Sequence, residues 1–259
     1  PCLLCGGFAA LVRAVADLYQ LPDTPDELSL IARQGSGSAC RSLFGGYVAW
    51  RMGSKEDGSD SKADLVAEAS HWPEMRALIL VVSAQEGSGM QQTVATSGLF
   101  AERVRTIVPK NMDLMEKAIR EKDFGLFGEV TMRESNSFHA TCADTYPPIF
   151  YMNDVSRAAV RAVEKINQAA GRTVAAYTFD AGPNCVVYYL EKDQAAVVGT
   201  FNALLAETEG WKAAAKDIKA DVEVDLDETV VTNPETGVGE GPVKTDEMLV
   251  TEDGEVAKR

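Results

Sequence analysis

Two short segments of this 259-residue chain concentrate the side chains that could do chemistry. The first is Gly35-Ser36-Gly37-Ser38-Ala39-Cys40-Arg41-Ser42, followed by Leu43-Phe44-Gly45-Gly46. Residues this small let a ligand approach the backbone closely, so that amide N–H groups point at anionic oxygens. The hydroxyls of Ser36 and Ser38 add donors, and Arg41 adds a planar fork suited to a carboxylate or a phosphate. The same letters also fit a solvated loop between a helix and a strand, its arginine paired with a surface carboxylate. No Gly-Lys-Ser/Thr ending is present, so the segment is not a Walker phosphate loop. The second segment is Tyr177-Thr178-Phe179-Asp180-Ala181-Gly182-Pro183-Asn184. Asp180 stands where a strand ends and a turn begins, held by a stiff element yet facing outward. There it could act as a base or orient a hydroxyl, partial burial raising its pKa and a nearby arginine lowering it. The competing reading is an aspartate that hydrogen-bonds the backbone of its own turn.

Three other segments are weaker. Met132 to Asp144 carries Glu134, Ser135, Asn136, Ser137, His139 and Cys142. A Cys and a His invite a nucleophile reading, but both lie on or near one helix, where packing or capping explains them as well. Ser83 to Met90 places Gly87, Ser88 and Gly89 just before a helix, which suits either an anion at the N-terminus or an ordinary cap. Cys2 and Cys5 form a CxxC pair, but no second pair or nearby His completes a zinc site.

The elements that must position these groups can be read from apolar spacing and breakers. Phe8 to Leu21 has helical spacing and meets Pro22. Thr24-Pro25-Asp26-Glu27 reads as a capped helix start, and that helix stops at Gly35. Ser36 to Ser42 reads as a loop, Tyr47 to Trp50 as a strand, and Ser54 to Lys62 as a surface loop. A boundary near Ser70 to Pro73 precedes a strand at Ala77 to Val82. Helices follow at about 89–107, 109–121, 124–139 and 153–170. The last puts Val155, Ala159, Val160, Val163 and Ile166 on one face. Val174 to Phe179 and Cys185 to Leu190 read as strands joined by the turn at Asp180. A helix at Asp193 to Leu205 and a short strand at Val222 to Val224 complete the reading. Helices and strands alternate irregularly and adjacent strands pair antiparallel, which is an α+β pattern.

Composition narrows the function. The net charge of −14 repels nucleic-acid phosphates and anionic lipid, so neither is expected as a main partner. An anionic small substrate remains open, because local charge governs a site. Five scattered cysteines argue against a disulfide scaffold and fit a reducing, cytoplasmic setting. No apolar run is long enough to cross a bilayer. The chain opens without a methionine and reads as N-terminally truncated.

Gly35 to Trp50 strongly resembles the substrate loop of the diphosphomevalonate decarboxylases. Met90 to Phe100 (MQQTVATSGLF), Ser135 to Tyr151 (SNSFHATCADTYPPIFY), Tyr177 to Asn184 (YTFDAGPN) and Gly237 to Pro242 resemble the same family in the same order, most like its fungal members. The resemblance implies a GHMP kinase-like two-domain α+β fold. Its N-terminal part, ribosomal S5 domain 2-like, would be incomplete, and its C-terminal domain ferredoxin-like. Residues 1–70 would be the remnant of the ATP- and substrate-binding domain and 71–259 the C-terminal domain. The resemblance also implies ATP, with Mg2+, and (R)-5-diphosphomevalonate as ligands, a homodimer, and isopentenyl diphosphate as product. Asp180 and Arg41 match the family's catalytic pair, and Ser36, Gly37, Ser38, Ala39, Cys40 and Arg41 match its substrate-binding residues. The chain departs from the family in two places. Cys2 to Gly7 stand where a serine-bearing phosphate loop is usual, and Ser83 to Gly89 lack a Ser-Ser-Thr. A catalytically impaired form acting only in dimerisation or binding is the alternative reading.

Overall fold

A computed structural model describes residues 3–82, 90–206, 218–222, 224 and 249–251. The chain divides into two compact units, Pro1–Pro73 and Glu74–Arg259.

In the first unit, α1 (Leu3–Leu18) and α2 (Pro25–Gly35) precede a 3-10 helix at Gly37–Leu43 and an antiparallel pair, β1 (Tyr47–Trp50) and β2 (Ala63–Ala67). The first helix begins five residues earlier than its apolar spacing predicts, because the small and apolar residues before Phe8 continue the helix. It ends before Pro22, where Gln20 takes a left-handed conformation (φ 52°). α2 starts as its letters predict: Pro25 opens the first turn and the Thr24 N–H donates to the Glu27 carboxylate at 2.8 Å. Fully buried Ser29 accepts a hydrogen bond from the Ala63 N–H at 3.0 Å, which ties β2 to α2. β2 was not legible in sequence, since Ala63-Asp64-Leu65-Val66-Ala67 is short and lacks clear apolar alternation.

The second unit is built on a four-stranded antiparallel sheet. Its strands are β3 (Met75–Val81), β4 (Ala175–Phe179), β5 (Cys185–Leu190) and β6 (Leu249–Thr251), in the spatial order β4-β5-β3-β6. The expected strand at 222–224 is absent at Val222 and Val224, which pack against the core instead; Glu223 lies outside the described residues. The helix expected at 89–107 is three pieces: α3 (Met90–Thr96), α4 (Gly98–Glu102) and a π-helical turn at Arg103–Ile107. The break at Ser97 has a cause. The Asp144 carboxylate accepts from the Ser97 hydroxyl at 2.8 Å and the Leu99 N–H at 3.1 Å, capping α4 from the end of a different helix. Next come α5 (Val108–Glu121), α6 (Phe124–Ala143) and α7 (Asp154–Ala170). Asp193 to Leu205 is a π-helical turn at Ala195–Gly199 leading into α8 (Thr200–Leu204), rather than one regular helix.

One face of the sheet makes the core. Leu78, Leu80, Tyr177, Phe179, Val187 and Tyr189 pack against Ala159, Val163 and Ile166 of α7 and against Val197, Phe201 and Leu205. The apolar face read along α7 is thus the buried one, with Val155 and Val160 at its margin. Among the described strands β4 lies at an edge of the sheet, and side chains of two helices cap its backbone. Asn167 of α7 accepts from the N–H groups of Val174 (2.8 Å) and Ala175 (2.9 Å) and donates to the Ala175 carbonyl (2.9 Å). Ser135 of α6 accepts from the Phe179 N–H at 3.1 Å. Asn167→Ala would strip three backbone groups of their partners. The expected result is a lower denaturation midpoint, equivalent to about 1–3 kcal/mol, with an unchanged denaturant slope.

Candidate active site

Gly35 ends α2, and extended Ser36 (φ −154°) turns the chain into the 3-10 helix. The turn is closed by the Ala39 N–H to the Ser36 carbonyl (2.9 Å) and by the Cys40 thiol to the Gly37 carbonyl (3.0 Å). The segment expected as an irregular loop is therefore a helical turn with two sides. Ala39 and Cys40 are fully buried, Ser36, Gly37 and Ser38 are half-buried, and Arg41 is exposed. Ala39 and Cys40 expose neither side chain nor backbone to solvent. Burial pushes the Cys40 thiol up, so it stays protonated at neutral pH.

The glycines of this turn have a second reason to be small. A Cβ on Gly35 would lie 2.5 Å from the ring of Phe8, and one on Gly37 would lie 3.0 Å from the indole of Trp50. The space beside them is filled by the protein's own aromatic rings. The guanidinium of Arg41 stands over the same Trp50 ring, 5.8 Å from its centroid. Trp50 is in turn fixed by Nε1 donating to the Ser61 hydroxyl at 3.2 Å, and that hydroxyl donates to the Arg51 carbonyl at 3.0 Å.

Asp180 belongs to the second unit, at the end of β4. The strand end is pinned by Ser135 at Phe179. Beyond it, the Gly182 N–H donates to the Asp180 carbonyl at 2.8 Å. The Ser156 hydroxyl, in the first turn of α7, donates to the Pro183 carbonyl at 2.9 Å, and the Asn184 side chain accepts from the Val82 N–H at 2.7 Å. The turn is thus tied to α6, α7 and the end of β3. Among the described residues no donor meets the Asp180 carboxylate, which is exposed. The reading of Asp180 as bonded through its side chain to its own turn does not hold; only its backbone carbonyl closes the turn.

The Cys and His segment has become structural. Arg103 is paired with Glu134 and donates to Ser137, and Asn111 also donates to Glu134. Asn136 bonds the Tyr177 hydroxyl at 3.1 Å, and Ser135 holds β4. Burial raises the Cys142 thiol and lowers His139, so both are neutral near pH 7. Nε2 of His139 and the Tyr151 hydroxyl are buried without a hydrogen-bond partner among the described residues, and His139 packs edge-on to Phe179. Because the folded state resists protonating His139, the unfolded chain binds that proton more readily. Its share of stability is intact above about pH 6.5 and is lost as the pH falls below it. Unfolding midpoints measured between pH 7 and about pH 5 should therefore fall with pH less steeply in His139→Phe.

Sequence reasoning missed Trp50, whose role depends on β1 pairing with β2. It also missed Ser156 and Asn167, which read as ordinary helix polar residues. The candidate at 83–89, the side chains of the CxxC pair and the segment 237–242 lie outside the described residues. Among the described residues no three His, Cys, Asp or Glu side chains form a group that could hold a metal ion, and no helix is long and apolar enough to cross a membrane.

Comparison with known proteins covers both units. The family model for the diphosphomevalonate decarboxylase-like N-terminal domain matches residues 5–63, and that for the mevalonate 5-diphosphate decarboxylase C-terminal domain matches residues 77–255. The diphosphomevalonate decarboxylase of Gibberella zeae is 70% identical over 254 residues, covering 94% of this chain and 66% of its own. A crystal structure of a mevalonate 5-diphosphate decarboxylase superposes with a TM-score of 0.81 at 45% identity, over 97% of this chain and 66% of the other. MDDEF, solved in complex with MVAPP, AMPPCP and magnesium, gives a TM-score of 0.65 at 29% identity, over 76% of this chain and 60% of the other. The chain thus spans about two thirds of the length of these relatives.

Proposed function

The chain belongs to the mevalonate 5-diphosphate decarboxylase family, with its GHMP kinase-like α+β fold, and from that premise we propose that it carries out the ATP-dependent decarboxylation of (R)-5-diphosphomevalonate. The products are isopentenyl diphosphate, ADP, phosphate and CO2. The observation that supports the reading is the two-sided turn at Gly37–Leu43 and its cap Ser36, which buries Ala39 and Cys40 and leaves Ser36 and Ser38 half-buried and Arg41 exposed.

In this mechanism Arg41 holds the substrate carboxylate as a fork, and Ser36 and Ser38 donate to its oxygens. The exposed carboxylate of Asp180 accepts a hydrogen bond from the C3 hydroxyl and takes its proton as that oxygen attacks the γ-phosphorus of ATP. ADP leaves. The C3–O bond then breaks with phosphate as leaving group, and the electrons of the bond to the carboxylate form the new double bond as CO2 departs. The reading assigns residues 1–70 to the substrate- and nucleotide-binding domain and residues 71–259 to the C-terminal domain. Magnesium would arrive with the nucleotide phosphates, which it ordinarily ligates together with water. Its part is to neutralise phosphate charge. A cytoplasmic homodimer is the working form this family membership suggests, and a sedimentation mass of one chain at assay concentration would count against it.

The test is release of ADP and CO2 that requires both ATP and diphosphomevalonate. A stable phosphorylated product without CO2 would instead make the chain a small-molecule kinase. Assembly without any turnover would favour the non-catalytic alternative.

A further inference from the structure

We propose that Trp50 is a positioning residue for Arg41, its indole serving as the platform that aims the guanidinium and sets the serine turn beneath it. The inference rests on the substrate reading given above and adds a residue to it.

Three observations converge on this ring. The Arg41 guanidinium lies 5.8 Å from the ring centroid, within the range in which a cation is attracted by an aromatic face. The edge of the same ring fills the Cβ space of Gly37, with Cη2 3.0 Å and Cζ3 3.1 Å from where that carbon would be. The ring is itself held, since Nε1 donates to the hydroxyl of buried Ser61, which is anchored to the Arg51 carbonyl. One face of the indole thus meets the charged end of the turn and its edge meets the glycine at the start. The strand β1 carries the ring to this place, and Ala63, wholly buried, pairs with Trp50 across the ladder.

The physical need is clear. Arg41 is exposed, on a side chain with many rotamers, and a free arginine loses much of that freedom when it clamps a carboxylate. An aromatic platform removes part of that freedom beforehand. Arginine stacks well because its charge is planar and weakly hydrated. A guanidinium that stacks on an aromatic face keeps its edge, where the N–H donors lie, for a ligand.

The test is a double-mutant cycle on the full chain, with the affinity for diphosphomevalonate measured calorimetrically for the parent, Trp50→Leu, Arg41→Ala and the double variant. Trp50→Leu should weaken binding by about 3- to 30-fold, the range of one cation–aromatic contact. In the Arg41→Ala background the same change should have almost no further effect, because nothing is left for the ring to hold. Trp50→Phe, which keeps an aromatic face but loses the bond to Ser61, should recover most of the loss. Equal losses in both backgrounds would overturn the proposal, as would a Trp50→Phe variant no better than Trp50→Leu; either would make Trp50 a packing residue. An Arg41→Ala variant that binds diphosphomevalonate as well as the parent would instead defeat the underlying substrate reading. A readout independent of ligand is the NMR signal of the Arg41 Nε–H, which should lose its ring-current shift in Trp50→Leu and keep it in Trp50→Phe.

Discussion

Asp180→Asn lowers kcat for ADP and CO2 release by about 10²–10⁴-fold, the usual range for removing a positioned proton acceptor. Asparagine keeps the size of the side chain and the backbone of the turn, whose bonds run through the Gly182 N–H, Ser156 and Asn184 and not through the carboxylate. Stability should therefore stay near the parent's, and diphosphomevalonate should bind with little change. That split separates a chemical role from a structural one. If Asp180→Asn unfolds at a much lower temperature than the parent, or turns over normally, the assignment of the proton acceptor fails.

Arg41→Ala has the second-largest expected effect. Hydrogen bonds to a charged group contribute about 1.5–3 kcal/mol each, so loss of the clamp should raise KM for diphosphomevalonate by about 10- to 100-fold. Arg41→Lys should recover only part of this, because an ammonium cannot make the paired planar contact with a carboxylate. The KM for ATP should move far less, since the nucleotide does not carry the carboxylate that Arg41 holds. Steady-state kinetics with each substrate varied in turn checks this. An equal rise in both constants would place Arg41 at the nucleotide instead.

Much of the second unit was legible from local pattern. α7 announces its buried face through Ala159, Val163 and Ile166, and β4 and β5 announce theirs through apolar runs on either side of the Asp180 turn. These elements depend on neighbours close in sequence. What sequence reasoning missed depends on distant partners. The interruption at Ser97 is set by Asp144, 47 residues away, and the environment of Gly37 is set by a tryptophan on a strand whose partner had no pattern of its own. The serine turn was found by residue type, but its two-sidedness was not, because small residues carry no periodic signal. Asp180 was found by its place at a strand end. That its carboxylate meets no donor among the described residues could not be read from letters, since an aspartate two residues before glycine bonds its own turn just as readily.

The capped edge of β4 limits how this molecule can assemble. A foreign strand laid alongside it would have to displace the Asn167 amide and the Ser135 hydroxyl from backbone groups they already occupy. Lengthening the sheet past β4 with a second copy is therefore disfavoured. At this edge a twofold partner would have to be recognised by side-chain surfaces rather than by a shared ladder, and the same obstruction guards this border against fibrous misassembly.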